Sequence, residues 1–134
     1  MVLVDTSIWS LALRRDDARL STLEAEKKLS LHELVRTGQA QLIGPIRQEI
    51  LSGIRHAEQF ARIRMQLSAF VDETLMTGDF ETAAQYCNLL AGKGLAGSNV
   101  DFLICAVAAS RSWQIFTDDT DFNRYSAHLP IALF

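Results

Sequence analysis

Hydrophobic positions along this chain follow two rhythms, short unbroken runs and helical spacings, and the two alternate. Val2-Leu3-Val4 is a β-branched-rich run that stops at Asp5, the pattern of a buried strand. Thr6 or Ser7 is placed to cap a following helix that carries Ile8, Trp9, Leu11 and Leu13, with Trp9 read as core. From Arg14 to Gly38, Leu20, Leu23, Leu31, Leu34 and Val35 recur at helical spacing among Glu24, Glu26, Lys27 and Lys28. That is an amphipathic helix with a solvated charged face, ended by Gly38. Gln41-Leu42-Ile43 suits a second short strand.

Gly44-Pro45 opens the next helix, proline being tolerated in a first turn. Ile46, Ile50 and Ile54 share its apolar stripe, and Glu49 lies at the edge of that stripe, one turn below Gly53. Phe60, Ile63, Leu67 and Phe70 carry a helix over residues 56–70, and Phe70-Val71 with Thr74-Leu75 suggests another strand. Asp79 is placed to cap a helix running to Ala91 and closed by Gly92 and Gly94. A loop over residues 93–97 leads to Ser98, then to an apolar helix through Phe102–Ala109 that begins on Asp101. Gln114 to Thr117 reads as a buried strand running into Asp118, Asp119 and Asp121. Leu129 to Phe134 reads as an edge strand whose pairing Pro130 limits.

Alternation of this kind predicts an α/β layer fold around a mostly parallel sheet, and no repeat or linker divides the chain, so residues 1–134 are expected to form one domain. At 134 residues such a domain buries about two-thirds of its unfolded surface. The longest apolar run is far short of a membrane span, and Asp5 interrupts the start before any signal-peptide core, so a cytoplasmic protein with no membrane partner is expected. Cys87 and Cys105 lie in apolar helical patterns and are read as small buried hydrophobes. His32, His56 and His128 are isolated, without metal-ligand spacing, which argues against zinc. The net charge of −3 argues only weakly against a nucleic-acid partner. Setting aside four of the 16 acids for a cation site leaves the rest near balance with the 13 bases.

Those acids are where chemistry is to be sought. Asp5 ends a strand, Glu49 edges a helix, Asp101 stands in a first helical turn, and Asp118, Asp119 and Asp121 follow a strand. In a parallel α/β layer these positions open on one crevice, where ligands bind. Oxygen ligands without His or Cys suit Mg²⁺ or Mn²⁺, and two such ions can activate water and stabilise the leaving oxygen of a phosphodiester. Each acid also has an ordinary structural reading. Ser98 with Asp101 matches a capping box, Asp5 can cap its own turn, and Asp118–Asp121 can be a solvated loop.

Four segments in this order resemble the PIN-domain nucleases, specifically the VapC-type toxins. They are Val2-Leu3-Val4-Asp5-Thr6-Ser7-Ile8-Trp9, Pro45-Ile46-Arg47-Gln48-Glu49-Ile50-Leu51-Ser52-Gly53, Asp101-Phe102-Leu103-Ile104-Cys105-Ala106, and Thr117-Asp118-Asp119-Thr120-Asp121-Phe122. The resemblance implies a three-layer PIN-like fold, with a mostly parallel sheet of four to five strands flanked by helices. It implies the toxin of a type II toxin–antitoxin system, an endoribonuclease that uses Mg²⁺ (or Mn²⁺) and is silenced by a cognate VapB-type antitoxin. The antitoxin groove would lie between the helices of residues 8–13 and 20–35, and a homodimer is expected. Asp5, Glu49, Asp101 and Asp119 match the family's acidic quartet. Asp5, Asp101, Asp119 and Asp121 would be the metal ligands, with Asp118 an alternative in so acidic a loop, and Thr6 and Thr117 match supporting hydroxyls. A catalytically silent PIN-like module that binds RNA or protein is the second reading. An aspartyl phosphate-ester hydrolase is the third, disfavoured because Asn123 stands where its Thr or Val belongs.

Overall fold

The computed structural model describes residues 1–134. Four short strands form one sheet: β1 (Val2–Val4), β2 (Ala40–Gln41), β3 (Gln114–Phe116) and β4 (Ala132–Leu133). Their order is β2-β1-β3-β4 and every pairing is parallel. Seven helices flank the sheet: α1 (Thr6–Leu13), α2 (Thr22–Arg36), α3 (Gly44–Leu51), α4 (Ala57–Leu67), α5 (Thr77–Ala91), α6 (Asn99–Arg111) and α7 (Asp121–Ser126). The α/β architecture read from the sequence is the one observed, with four strands and none antiparallel.

β1 lies inside the sheet and is apolar on both faces, as a parallel strand covered on both sides must be. α6 is buried from Phe102 to Ala108 on every side, and a helix without a polar face belongs in the interior. These elements meet in a core of 27 buried residues, at whose edge the partly buried Phe70 packs against Trp9 edge to face with ring centroids 5.0 Å apart. Each fully buried Leu or Ile contributes about 2 kcal/mol relative to exposure. No helix is long and apolar enough to cross a membrane.

Several local expectations are corrected. The cap of α1 is the Asp5 carboxylate, not Thr6 or Ser7, which enter the first turn. The early amphipathic segment is a single 3-10 turn at Asp17–Arg19 followed by α2, which starts at a Ser21–Glu24 capping box. β2 falls at Ala40–Gln41, beginning one residue before the expected run and ending at its first residue. α3 stops at Leu51, and Gly53, at φ 82°, turns the chain where a side chain would be strained. Asp79 is the third residue of α5, its carboxylate accepting from Met76 N–H at 2.9 Å.

No strand forms at residues 70–75. Two arginines claim that segment's polar groups instead. Arg47 forks onto Asp72 and donates to the carbonyls of Leu67 and Phe70, while Arg111 reaches Glu73 and the carbonyl of Thr74. Its only backbone tie to the sheet region is Glu73 N–H to the Leu42 carbonyl at 2.8 Å. The acidic loop after β3 runs straight into α7, a helix absent from the sequence reading.

Candidate active site

Parallel strands that end in register deliver the residues after them to one edge. Val4 pairs with Phe116, so Asp5 and Thr117 emerge side by side, with Asp5 N–H donating to the Phe116 carbonyl at 2.9 Å. Asp5 is only 6% exposed. Its Oδ2 accepts from Thr117 Oγ1 at 2.8 Å and from Ser7 Oγ at 2.7 Å. Ser7 Oγ in turn accepts Asp118 N–H at 2.9 Å, and Thr117 Oγ1 accepts Asp119 N–H at 3.0 Å. Two hydroxyls thus tie the first strand's acid to the loop of the third.

Glu49 reaches this edge from α3, where its Oε2 accepts from Thr6 Oγ1 at 2.6 Å. Asp101 enters from the N-terminus of α6. Its Oδ2 accepts Ser98 N–H at 3.0 Å in a completed capping box, so the capping role is real. Burial pushes the Asp101 carboxyl above its ordinary range, and the charges of Asp5 and Asp119 push the same way against the Ser98 hydrogen bonds. Asp119 Oδ1 accepts Asp121 N–H at 2.9 Å, which holds the start of α7.

One regularity runs through these four groups. Asp5, Glu49, Asp101 and Asp119 each commit a single carboxylate oxygen to local donors and leave the other without a protein donor. None of the four forms an ion pair with a Lys, Arg or His. The loop's other two acids differ. Asp118 is paired with Lys27 of α2, and Asp121 stands 3.8 Å from Arg124.

As oriented, no three acidic, His or Cys side chains converge into a ready-made ligand cluster, because each is held by its own donor. The donor chemistry still fits a hard divalent cation: oxygens only, mutually repelling, and free of paired cations. Cys105, one turn along α6 from Asp101, is fully buried, and that burial pushes its thiol up to about 12, with the charges of Asp101 and Asp5 adding to the effect.

Tyr125 of α7 closes the floor of the edge. Burial, then the charges of Asp101, Asp121 and Asp119, push its hydroxyl up to about 12, and it donates to the Ala96 carbonyl at 2.9 Å. A side chain at Gly97 would collide with the Tyr125 hydroxyl and with Phe102, so the loop before α6 lies flat only because that residue is glycine. Ser7 and Tyr125 were not singled out from the sequence as site residues. Ser7 was legible in principle, as a second hydroxyl following an acid at a strand end.

In parallel α/β proteins the carboxyl edge of the sheet is where ligands usually bind, and the hydroxyls and half-engaged carboxylates stand at that edge here. The PIN domain family model matches residues 2–127, and the chain belongs to that family. Its fold is like that of three solved structures. These are FitAcB from Neisseria gonorrhoeae (TM-score 0.75, 18% identity, 100% of this chain and 96% of that one) and VapBC2 from Rickettsia felis bound to a DNA fragment from their promoter (0.74, 18%, 100% and 98%). The third is a toxin–antitoxin complex from Klebsiella pneumoniae (0.63, 22%, 91% and 90%). No curated protein matches the sequence significantly.

Proposed function

We propose that this chain, acting as one domain over residues 1–134, is the toxin of a type II toxin–antitoxin pair in the cytoplasm, a divalent-metal-dependent endoribonuclease. The observation that carries the reading is the set of four carboxylates at one sheet edge, each with one oxygen anchored and one left over. Asp5, Asp101 and Asp119 would hold Mg²⁺ or Mn²⁺, with Asp121 completing the set when it turns from Arg124. When bound, the cation supplies Lewis-acid activation of water and neutralises charge developing on the phosphodiester.

The chain's own residues position that chemistry. Thr117 and Ser7 fix the Asp5 carboxylate, so its second oxygen is held in place without a search through rotamers. Thr6 orients Glu49, whose second oxygen is available to accept a proton from an approaching water. The capping box fixes Asp101 and the α7 amide fixes Asp119.

The antitoxin reading is supported by the fold neighbours, one of which is a toxin–antitoxin complex. A groove of about 440 Å³ between α1, α2 and α4, lined by Leu13, Leu31, Val35 and Phe70, is where such a partner would dock. Exposed Phe80, beside a largely apolar cavity of about 500 Å³ between α3, α5 and α6, supports homodimerisation. The decisive experiment is cleavage of RNA with Mg²⁺ or Mn²⁺. Chelation should abolish it, and Asp5→Asn should lower it by about 100-fold or more. An Asp5→Asn protein that cuts at the wild-type rate overturns this metal-site mechanism, whereas a wild type that binds RNA but cuts none with either metal favours the silent binding module.

A further inference from the structure

Beside the carboxylate edge opens a cavity of about 300 Å³, lined by Lys27, Thr117, Asp118, Asp119, Asn123 and Phe134 among others. It shares Thr117 and Asp119 with the edge, so whatever enters it lies against the site. Its walls differ in kind. Phe134 is 52% exposed yet seated on buried Phe116, with ring centroids 4.9 Å apart. Lys27 projects from α2 and Asn123 from the solvent face of α7. Another cavity, walled by Arg14, Arg15, Asp16 and Arg19, is the more basic, but it has no aromatic wall and shares no residue with the edge.

We propose that this cavity is the subsite for the nucleotide adjoining the scissile phosphodiester, a deepening that rests on the ribonuclease reading. The base lies on Phe134, Asn123 offers its amide to the base edge, and Lys27 takes the phosphate. An exposed aromatic ring held by a buried one is a stacking platform, and single-stranded RNA is recognised by such stacking. A strand approaching an acidic edge also needs a cation that the four edge carboxylates do not pair with. Lys27 is held by Asp118, whose side chain is 42% exposed and which is not among the charges acting on Asp101. Surrendering that partner to a phosphate forfeits only a solvent-screened pair of small net worth. Asn123, with both donor and acceptor on its amide, can read a base edge but does not dictate which base.

The test is binding of fluorescein-labelled single-stranded RNA hexamers to the full chain carrying Asp5→Asn, followed by anisotropy in Mg²⁺ buffer. Adding Lys27→Met or Phe134→Ala should each weaken binding about tenfold. Lys27→Arg should stay within about threefold of the parent, because the phosphate contact survives. Only Lys27→Met should also flatten the salt dependence, by roughly 0.7 in the log–log slope. Melting curves separate a lost contact from a lost fold, and Phe134→Leu, which keeps bulk without a π face, should behave like Phe134→Ala. Equal affinities for the parent, Lys27→Met and Phe134→Ala proteins overturn the subsite, as does a parent that binds no RNA; metal-dependent cleavage by the wild type would then leave the nuclease reading standing. Conversely, binding that depends on Lys27 and Phe134 upholds the subsite even where the wild type cuts nothing.

Discussion

Asp5 and Asp79 are the two buried charged residues of this protein, each 6% exposed, and they face opposite fates at opposite ends of α6. Near the C-terminal end, Arg111 meets Asp79 with two guanidinium nitrogens at 2.9 and 3.1 Å and Glu73 with a third at 2.7 Å. Both oxygens of Asp79 are engaged, the remaining donors being Met76 N–H and Ser110 Oγ. The hydrogen bonds from Arg111 hold the Asp79 carboxyl below the usual range, while Asp79 and Glu73 raise the guanidinium further. Near the N-terminal end, Asp101 shares its surroundings with Asp5 and Asp119, and hydroxyls and amides are the only donors. A buried carboxylate beside its own arginine is a fastening. Carboxylates that lie near one another without one repel and cost stability, which is why the N-terminal end is the candidate site.

The comparison can be broken by mutation. Arg111→Met strands Asp79 and Glu73 and is expected to cost about 3 kcal/mol in chemical denaturation. Asp5→Asn should leave that measurement unchanged or improved, because it removes one charge from a repelling group while Asn can still accept from Ser7 and Thr117. A comparable loss from Asp5→Asn would show that both ends are structural.

Divalent cations sharpen the contrast further. Mg²⁺ or Mn²⁺ at ten times its dissociation constant should stabilise the wild type by about 1.4 kcal/mol by mass action. Asp5→Asn should blunt that gain and Asp79→Asn should not, as differential scanning fluorimetry can establish.

The smallest effect is in pH. Because the folded-state value of Asp79 is depressed, its contribution is complete above an unfolded value of about 3.9 and is lost as pH falls through the lower folded value. Asp79→Asn should therefore flatten the acid limb of the stability curve in that window. An unchanged limb in urea titrations would remove Asp79 from the account.

Local pattern alone placed much of this molecule. The run Val2–Val4, the proline at the start of α3, the glycines after α5 and the apolar stretch of α6 each encode their element within a few residues. The acids at strand ends and helix starts stood out for the same reason, since a charge that halts an apolar run is visible without neighbours. Residues 70–75 were misread because their partners, Arg47 and Arg111, lie 20 or more residues away and override strand propensity, and the pairing of Asp79 with Arg111 was invisible for the same reason.

Sequence by itself determined that apolar runs and helical stripes alternate and that unpaired-looking acids punctuate them. Tertiary structure decided which acids remain unpaired. Asp5 and Asp79 look alike in one dimension, and so do Asp118 and Asp119. Strand register put Thr117 beside Asp5, and the packing of α2 gave Lys27 to Asp118, leaving Asp119 to the edge. Coulombic partnership acts over a few ångströms of space and is indifferent to distance along the chain.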